Sequence, residues 1–544
     1  MNNLVSKEHQ DEYVAKGYWS TTETSCLLLE RNAKENPNKI AVIDDENRKF
    51  TNFELDKLSS CIAAGLLNRG ICEGDVVGVQ LPNRAEGVLV ICALEKMGAI
   101  VCPLVPAYRA NEIAFIVRTT QMKAIFVPGV YRDFDHIGLA SKVAKSEPSL
   151  KVIITLEGKS DLSEVVNLEQ LIREGDGSNF SSIALSPNSI SSILFTSGTE
   201  AAPKGILHTQ NTILSSLRSL TRILGMGEQD GIFMPSPIGH GTGFGFGVKF
   251  SIYLGSTLTL LDKWDPVRAA ELISTNGSVY THGATPFVRD LLSVPDVSSR
   301  FDLSRLKYFV TGGAAIAPGT CIEMKEKVGS ELLRLYGQTE GFMCSINRPF
   351  DSDVHHETTD GLPAPGVEFI VVDDEDQPVK TGEVGNAIYR GPHQCVGALA
   401  DEDRVAKMFT KNGWLRSGDL ISLDTENYLT VRGRTKEVIN RGGYKYSPRE
   451  VEDVLEKHLA IKAVAVTSTP DDRLVERACV FVVLVDGESV TLSEIQELLK
   501  LHGVAQFKWP EDLRIIKELP MTPSGKVKRF VLAEILNSEN TESK

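Results

Sequence analysis

Residues 196–205 read T-S-G-T-E-A-A-P-K-G, small hydroxyl-bearing and glycine residues leading to a lysine directly after the apolar run 190–195. Hydroxyls, close backbone amides and one cation are the groups that cradle a polyphosphate. The P-loop pattern G-x-x-x-x-G-K-[ST] is the obvious template. The distance from Gly198 to Lys204 fits it, but Pro203 replaces the second glycine and Gly205 replaces the serine or threonine. Proline offers a phosphate no N–H, and glycine has no hydroxyl for magnesium. The loop therefore predicts phosphate chemistry of another kind.

It gains meaning from four later stretches: Y-G-Q-T-E at 336–340, S-G-D-L at 417–420, G-R-T-K at 433–436 and P-M-T-P-S-G-K at 520–526. In this order and spacing they resemble the acyl-adenylate-forming superfamily of acyl-CoA synthetases, peptide-synthetase adenylation domains and beetle luciferases, over nearly the whole chain. Within it, GYW near the start, LFTSGTE, PIGHGTGF, GATPFVRDLL and VINRGG are similar to bacterial short- and medium-chain acyl-CoA synthetases and cyclohexanecarboxylate–CoA ligases.

The resemblance implies a definite chemistry. A carboxylate, a poor electrophile, attacks the α-phosphate of ATP, releasing pyrophosphate; a thiol, usually that of coenzyme A, then displaces AMP from the acyl-adenylate. Thr196, Ser197, Gly198, Thr199 and Lys204 would hold the β- and γ-phosphates. Glu200 and Ala201 stand where relatives often have threonine and glycine. Tyr336, with Gly337 beside it, would stack on adenine; Thr339 would bond the α-phosphate and Glu340 would hold Mg2+, which needs few carboxylates besides phosphate oxygens. Gly312, Gly313 and Ala314 would admit adenine and the acyl group closely. Asp419 would take the ribose hydroxyls and Arg434 would support ribose or phosphate. Lys526 is the expected adenylation catalyst. His240, Gly283 and Gln338 would line the acyl pocket, with Ala284 nearby. Lys436 matches the hinge about which the C-terminal domain turns, bringing Gly442, Gly443 and Lys445 to a pantetheine tunnel. After Arg390-Gly391-Pro392 the chain departs from its relatives, with HQCVGALADEDR in place of an aromatic-rich segment.

These residues imply an acyl-CoA synthetase for a small to medium carboxylic acid, using ATP, magnesium and coenzyme A. Two other readings stand beside it: an adenylating enzyme that loads a carrier-protein thiol or another acceptor, and a nucleotide-binding pseudoenzyme, against which the retention of Lys204, Glu340, Asp419, Arg434 and Lys526 argues. A homodimer is common among relatives.

The elements that must position these groups alternate. Thr51 and Glu54 form a capping box before a helix with Leu55, Leu58, Ile62 and Leu66 inward. Strands are expected at 76–79, 124–127, 206–208, 257–261, 307–311 and 368–372, and helices at 86–96 and from Ile213 to Leu224. Residues 174–179 read as surface. Strand–helix alternation predicts a large α/β layered N-terminal domain, residues 1–435. A small, mobile α+β domain, 436–544, follows, with strands at 463–466 and 478–485 and capping boxes at Ser447-Pro448-Arg449-Glu450 and Thr491–Glu494. Glycines 241, 243, 245 and 247 imply close packing or a roomy cavity, and His355-His356-Glu357 reads as surface rather than metal site.

The 544 residues carry a net charge of −14 without a basic stripe, which predicts no nucleic-acid partner. Nine cysteines without a C-x-x-C pair, a polar N-terminus and no long apolar run predict a soluble, cytoplasmic protein without membrane insertion.

Overall fold

Thr51 opens the helix Asn52–Asn68 with a reciprocal capping box: its hydroxyl accepts the Glu54 amide, and the Glu54 carboxylate accepts the Thr51 amide. Its stripe then buries Leu55, Ile62 and Leu66, with Leu58 half-buried. In this computed structural model, which describes residues 5–157, 164–196, 203–313, 316–399, 402–441, 444–471, 475–522 and 526–542, that helix belongs to the filling between two large sheets.

One sheet has nine strands among the described residues and the other eight. In the first, Gly231–Met234, Ser278–Gly283, Tyr308–Gly312 and Glu331–Tyr336 run parallel to one another. In the second, Val76–Val79 lies between Ile100–Pro103 and Ala124–Val127, also parallel. Helices Ala85–Lys96 and Gln210–Leu224 share one apolar core with side chains of both sheets, including Val77, Val101, Ile232 and Leu258. The sequence-expected stripe Ile213, Leu214, Leu217, Leu220 and Leu224 is entirely buried there.

A four-stranded antiparallel sheet, Glu368–Val372, Gly385–Arg390, Leu415–Leu423 and Leu429–Arg434, completes the large N-terminal domain. The smaller C-terminal domain is built on the antiparallel pair Ile461–Asp471 and Val475–Leu484, with Asp512–Ile515 parallel to the latter. Helices Arg449–Leu455 and Leu492–Leu501 cover one face, and Leu532 and Leu536 pack against Ala465 and Phe481 on the other. The mixed α/β and α+β class expected from the sequence is the class observed.

Three local expectations need correction. The 174–179 stretch is not simply surface: Gly175 is buried, and a Cβ on it would lie 1.9 Å from the Cys61 carbonyl oxygen, so the helix Asn52–Asn68 approaches it too closely for a side chain. His356 is also buried, bonding the Arg348 carbonyl at 2.8 Å, while Glu357 accepts the Gly319 and Cys321 amides ahead of and within Thr320–Val328. That segment is a structural clamp rather than an exposed run. At Ser447–Glu450 half of the capping box forms: Glu450 accepts the Ser447 amide at 3.1 Å, but the Ser447 hydroxyl accepts from Arg449 rather than from Glu450. Pro448 has helical dihedrals, as a proline at the first helical position should. The Thr491–Glu494 box is complete.

Candidate active site

Strand periodicity sets out the first part of the site. Thr196 and Lys204 are register partners at the base of the hairpin between Ile190–Thr196 and Lys204–Thr209. Side chains two apart on a strand share a face, so Lys204 and His208 point the same way. Both reach the Y-G-Q-T-E turn: Lys204 Nζ lies 3.2 Å from Glu340 Oε1, and His208 Nε2 lies 2.7 Å from the Thr339 carbonyl oxygen. Since a carbonyl only accepts, His208 carries its proton on Nε2. Its Nδ1 meets the Thr212 hydroxyl at 3.0 Å. Burial pushes the His208 imidazole down to about 4, so it is neutral at physiological pH. His208 was not legible as a functional residue; its spacing from Lys204 is the signal that could have found it.

The parallel strands of the large sheet deliver the next groups at their carboxyl ends, where open α/β sheets bind ligands. Gly283, Gly312 and Tyr336 each end a strand. Backbone packs tightly here: a Cβ on Gly312 would stand 2.2 Å from the Leu335 oxygen, and one on Gly337 would stand 1.8 Å from the Phe342 oxygen. A Cβ on Gly283 would stand 2.6 Å from the Phe287 ring. Tyr336 donates its hydroxyl to Asp419 Oδ2 at 2.7 Å, and Arg434 Nε approaches Asp419 Oδ1 at 3.4 Å. Burial raises the Asp419 carboxyl, with Arg434 and the Tyr336 hydrogen bond opposing that rise. Motifs more than 80 residues apart in sequence thus meet in one hydrogen-bonded set. Gln338 Nε2 is buried without a partner among the described residues, leaving a donor for a ligand.

Lys526 comes from the other domain. Its amide donates to the Thr522 hydroxyl at 3.0 Å and its carbonyl accepts the Thr522 amide at 2.7 Å, closing a tight turn. The side chain runs along Gly313, where an added Cβ would stand 3.1 Å from Lys526 Cε; Gly313 also has φ +84°, a conformation that side chains rarely adopt. Burial first, then the Arg434 guanidinium, hold the Lys526 ammonium below the ordinary lysine range, with Asp419 and Glu340 pulling it back up. The lysine therefore sits among the groups that the N-terminal domain presents. Behind it, Arg529 pairs with Glu437 at 2.9 Å and with Glu452 at 2.6 Å, tying the turn to the 3-10 segment Thr435–Glu437, which contains Lys436.

His240 precedes a π-helix, Thr242–Lys249, whose glycines pack tightly: added Cβ atoms would stand 2.3 Å from the Pro237 oxygen at Gly243 and 2.4 Å from the Phe342 ring at Gly245. At Gly241 such an atom would meet nothing within 4 Å, so space opens beside His240. Of the two expectations for the alternating glycines, close packing holds at Gly243, Gly245 and Gly247. Burial, with the Lys526 charge adding to it, pushes His240 down to about 4. The start of the atypical stretch packs under Glu340: the Cys395 amide donates to the Glu340 carbonyl at 2.7 Å, and His393 bonds the Met343 carbonyl at 2.8 Å. Gly397–Leu399 then pairs with the strand that carries Lys204.

Ser197, Gly198, Thr199, Glu200, Ala201, Ala314, Gly442 and Gly443 lie outside the described residues. Lys445 is in the strand Tyr444–Tyr446, paired with Ile439–Arg441. Among the described residues no three His, Cys, Asp or Glu side chains converge on a metal position, and no helix is long and apolar enough to cross a membrane.

Comparison with known proteins accords with this arrangement. A family model described as AMP-binding enzyme matches residues 29–397, and one described as AMP-binding enzyme C-terminal domain matches 450–526. A medium-chain fatty-acid–CoA ligase of Escherichia coli (strain K12) is 34% identical over 531 residues, 97% of this chain and 93% of that one. A 2-hydroxy-7-methoxy-5-methyl-1-naphthoate–CoA ligase of Streptomyces carzinostaticus is 30% identical, covering 96% and 94% of the two chains. The crystal structure of the anthranilate CoA ligase AuaEII with anthranoyl-AMP superposes with a TM-score of 0.87 at 24% identity, over 96% of this chain and 99% of that one, and supports the fold. With its motifs gathered at one site and family matches across both domains, the chain belongs to the AMP-binding enzymes of the adenylate-forming superfamily.

Proposed function

We propose that this chain is an ATP-dependent, AMP-forming acid–CoA ligase for a small to medium carboxylic acid, working from the site around Lys526. The observation that carries the reading is the placement of the Lys526 side chain against Gly313, among Asp419, Arg434 and Glu340. An adenylation site needs a cation there. As the acid's carboxylate attacks the α-phosphorus, the bond to pyrophosphate breaks and negative charge shifts onto the leaving group; fixed donors and cations aimed at that charge lower the barrier. Lys526 would serve the α-phosphate and the attacking carboxylate, and Lys204 the departing phosphates. Tyr336 and Asp419 would fix adenine and ribose, and the unpartnered Gln338 amide would donate to the acid or phosphate. Glu340, with a side chain only 10% exposed, is a single carboxylate suited to Mg2+ arriving with ATP, since magnesium takes few protein ligands beside phosphate oxygens. The ion would polarise those oxygens. In the second half-reaction the coenzyme A thiol would attack the acyl carbon, breaking its bond to AMP, with the segment around Gly442, Gly443 and Lys445 proposed to line the thiol's path after the C-terminal domain turns about Lys436.

The test is pyrophosphate release with ATP and magnesium across a panel of carboxylic acids, with and without coenzyme A. Turnover that requires coenzyme A and yields AMP and an acyl-CoA supports the ligase. Release independent of coenzyme A would shift the assignment to an enzyme that loads a carrier-protein thiol or another acceptor. ATP binding with no release on any acid would contradict both.

A further inference from the structure

Near His240 stands a second histidine that no motif marks. His282 lies on the strand Ser278–Gly283, one residue before Gly283, and is 5% exposed. Its ring sits 4.8 Å from that of Phe246 on the π-helix. His240 is close enough that its positive form would oppose protonation of His282.

The tautomer of His282 follows from its neighbour. Tyr280, two residues earlier on the same strand face, is fully buried, and its hydroxyl has one partner among the described residues, His282 Nδ1 at 3.2 Å. A buried phenol donates where it can. Nδ1 therefore accepts, and the ring carries its hydrogen on Nε2. Burial pushes the imidazole down to about 3, so it remains neutral. His240 has the same tautomer, because its Nδ1 accepts the Thr242 amide at 3.3 Å. Beside the proposed acyl pocket, the Phe246 ring thus meets an uncharged N–H that has no hydrogen-bond partner among the described residues. An alkyl chain would bury that N–H unpaired, whereas an oxygen or ring nitrogen would satisfy it.

Resting on the ligase reading above, we propose that His282 is a specificity-determining residue: its Nε2–H selects carboxylic acids with a hydrogen-bond acceptor on the acyl group, such as a hydroxyl, keto or ether oxygen or a ring nitrogen, over plain alkanoic acids of the same length. Sites built to hydrogen-bond a substrate group discriminate against analogues that lack it because the site's own polar atom is stranded.

The experiment compares straight-chain alkanoic acids with their hydroxy and keto counterparts, and benzoate with its hydroxylated and ring-nitrogen analogues, by pyrophosphate release and acyl-CoA formation. The wild type should favour the acceptor-bearing member of at least one pair by about 10- to 100-fold in kcat/KM. His282→Leu should cancel or invert that ratio, and His282→Gln, which keeps an N–H donor, should retain part of it. Tyr280→Phe, which frees the tautomer, should weaken the preference without adding bulk, and it keeps the test decisive should the leucine variant fail to fold. A wild-type preference for plain acids throughout, or a ratio unmoved by His282→Leu and Tyr280→Phe, would overturn the specificity role while leaving the ligase intact. No turnover of any acid would overturn the ligase reading and this inference with it.

Discussion

The N-terminal half of the site is wired into a core, whereas the C-terminal half contributes one side chain on a turn. His208 spans Thr339 and Thr212, Tyr336 bonds Asp419, and the glycines at 312 and 337 admit no side chain. The π-helix beside the proposed acyl pocket ends at Lys249, fully buried in an ion pair with Glu95 of the helix Ala85–Lys96; Ser25 joins Lys249, and Gln210 joins Glu95. Lys526, by contrast, depends on the Thr522 turn and on Arg529 behind it. Groups that hold the nucleotide in both half-reactions can be rigid. On the proposed mechanism, a cation needed only for the first is better carried on a separate unit that can withdraw before the thiol step. The comparison therefore assigns stability to one region and a timed charge to the other.

Breaking the fixed region should cost stability. Lys249→Ala strands the buried Glu95 carboxylate and should destabilise the protein by about 3–5 kcal/mol, measured by denaturant unfolding; a paired Lys249→Met, Glu95→Gln change should recover most of it. Breaking the delivered group should cost rate alone: Lys526→Ala should slow adenylation by on the order of 10²–10³-fold with little change in the melting temperature. Equal loss of stability in Lys249→Ala and Lys526→Ala would erase the contrast. Tyr336→Phe tests the join between distant motifs. Without the phenol, the buried Asp419 carboxylate loses a donor, so AMP affinity and stability should each fall by about 1–3 kcal/mol, read by calorimetry and unfolding.

The smallest effect is in the pH profile. Burial and Arg434 hold Lys526 below the ordinary lysine range. If it acts as a cation, as proposed, kcat/KM for adenylation should be intact below its ionisation and fall on the alkaline side at a pH under about 10.5, the usual lysine value. Lys526→Arg, whose guanidinium stays charged, should carry that alkaline limb upward. A limb unmoved by the change would assign it to another group.

What the sequence made legible followed from local rules. Capping boxes at Thr51 and Thr491, the stripe Ile213–Leu224 and the order of the five motifs depend on spacing, which needs no tertiary knowledge. Side-chain environment was less accessible. His356 and His282 are both buried, yet a histidine looks the same in sequence whether it clamps a loop or faces a pocket. Gly175 looks like a surface turn until the Cys61 carbonyl is placed against it. His208 could have been found by counting two residues at a time from Lys204, but its partner is a backbone carbonyl 131 residues away, and backbone carbonyls carry no sequence signal.

The central claim is that Lys526 supplies the adenylation step and is absent from the thiol step. It is tested most directly by giving Lys526→Ala a synthetic acyl-adenylate and coenzyme A, and in parallel the free acid with ATP. The account predicts acyl-CoA formation from the adenylate within a few-fold of wild type, alongside nearly abolished pyrophosphate release from ATP. Equal loss of both half-reactions would contradict it.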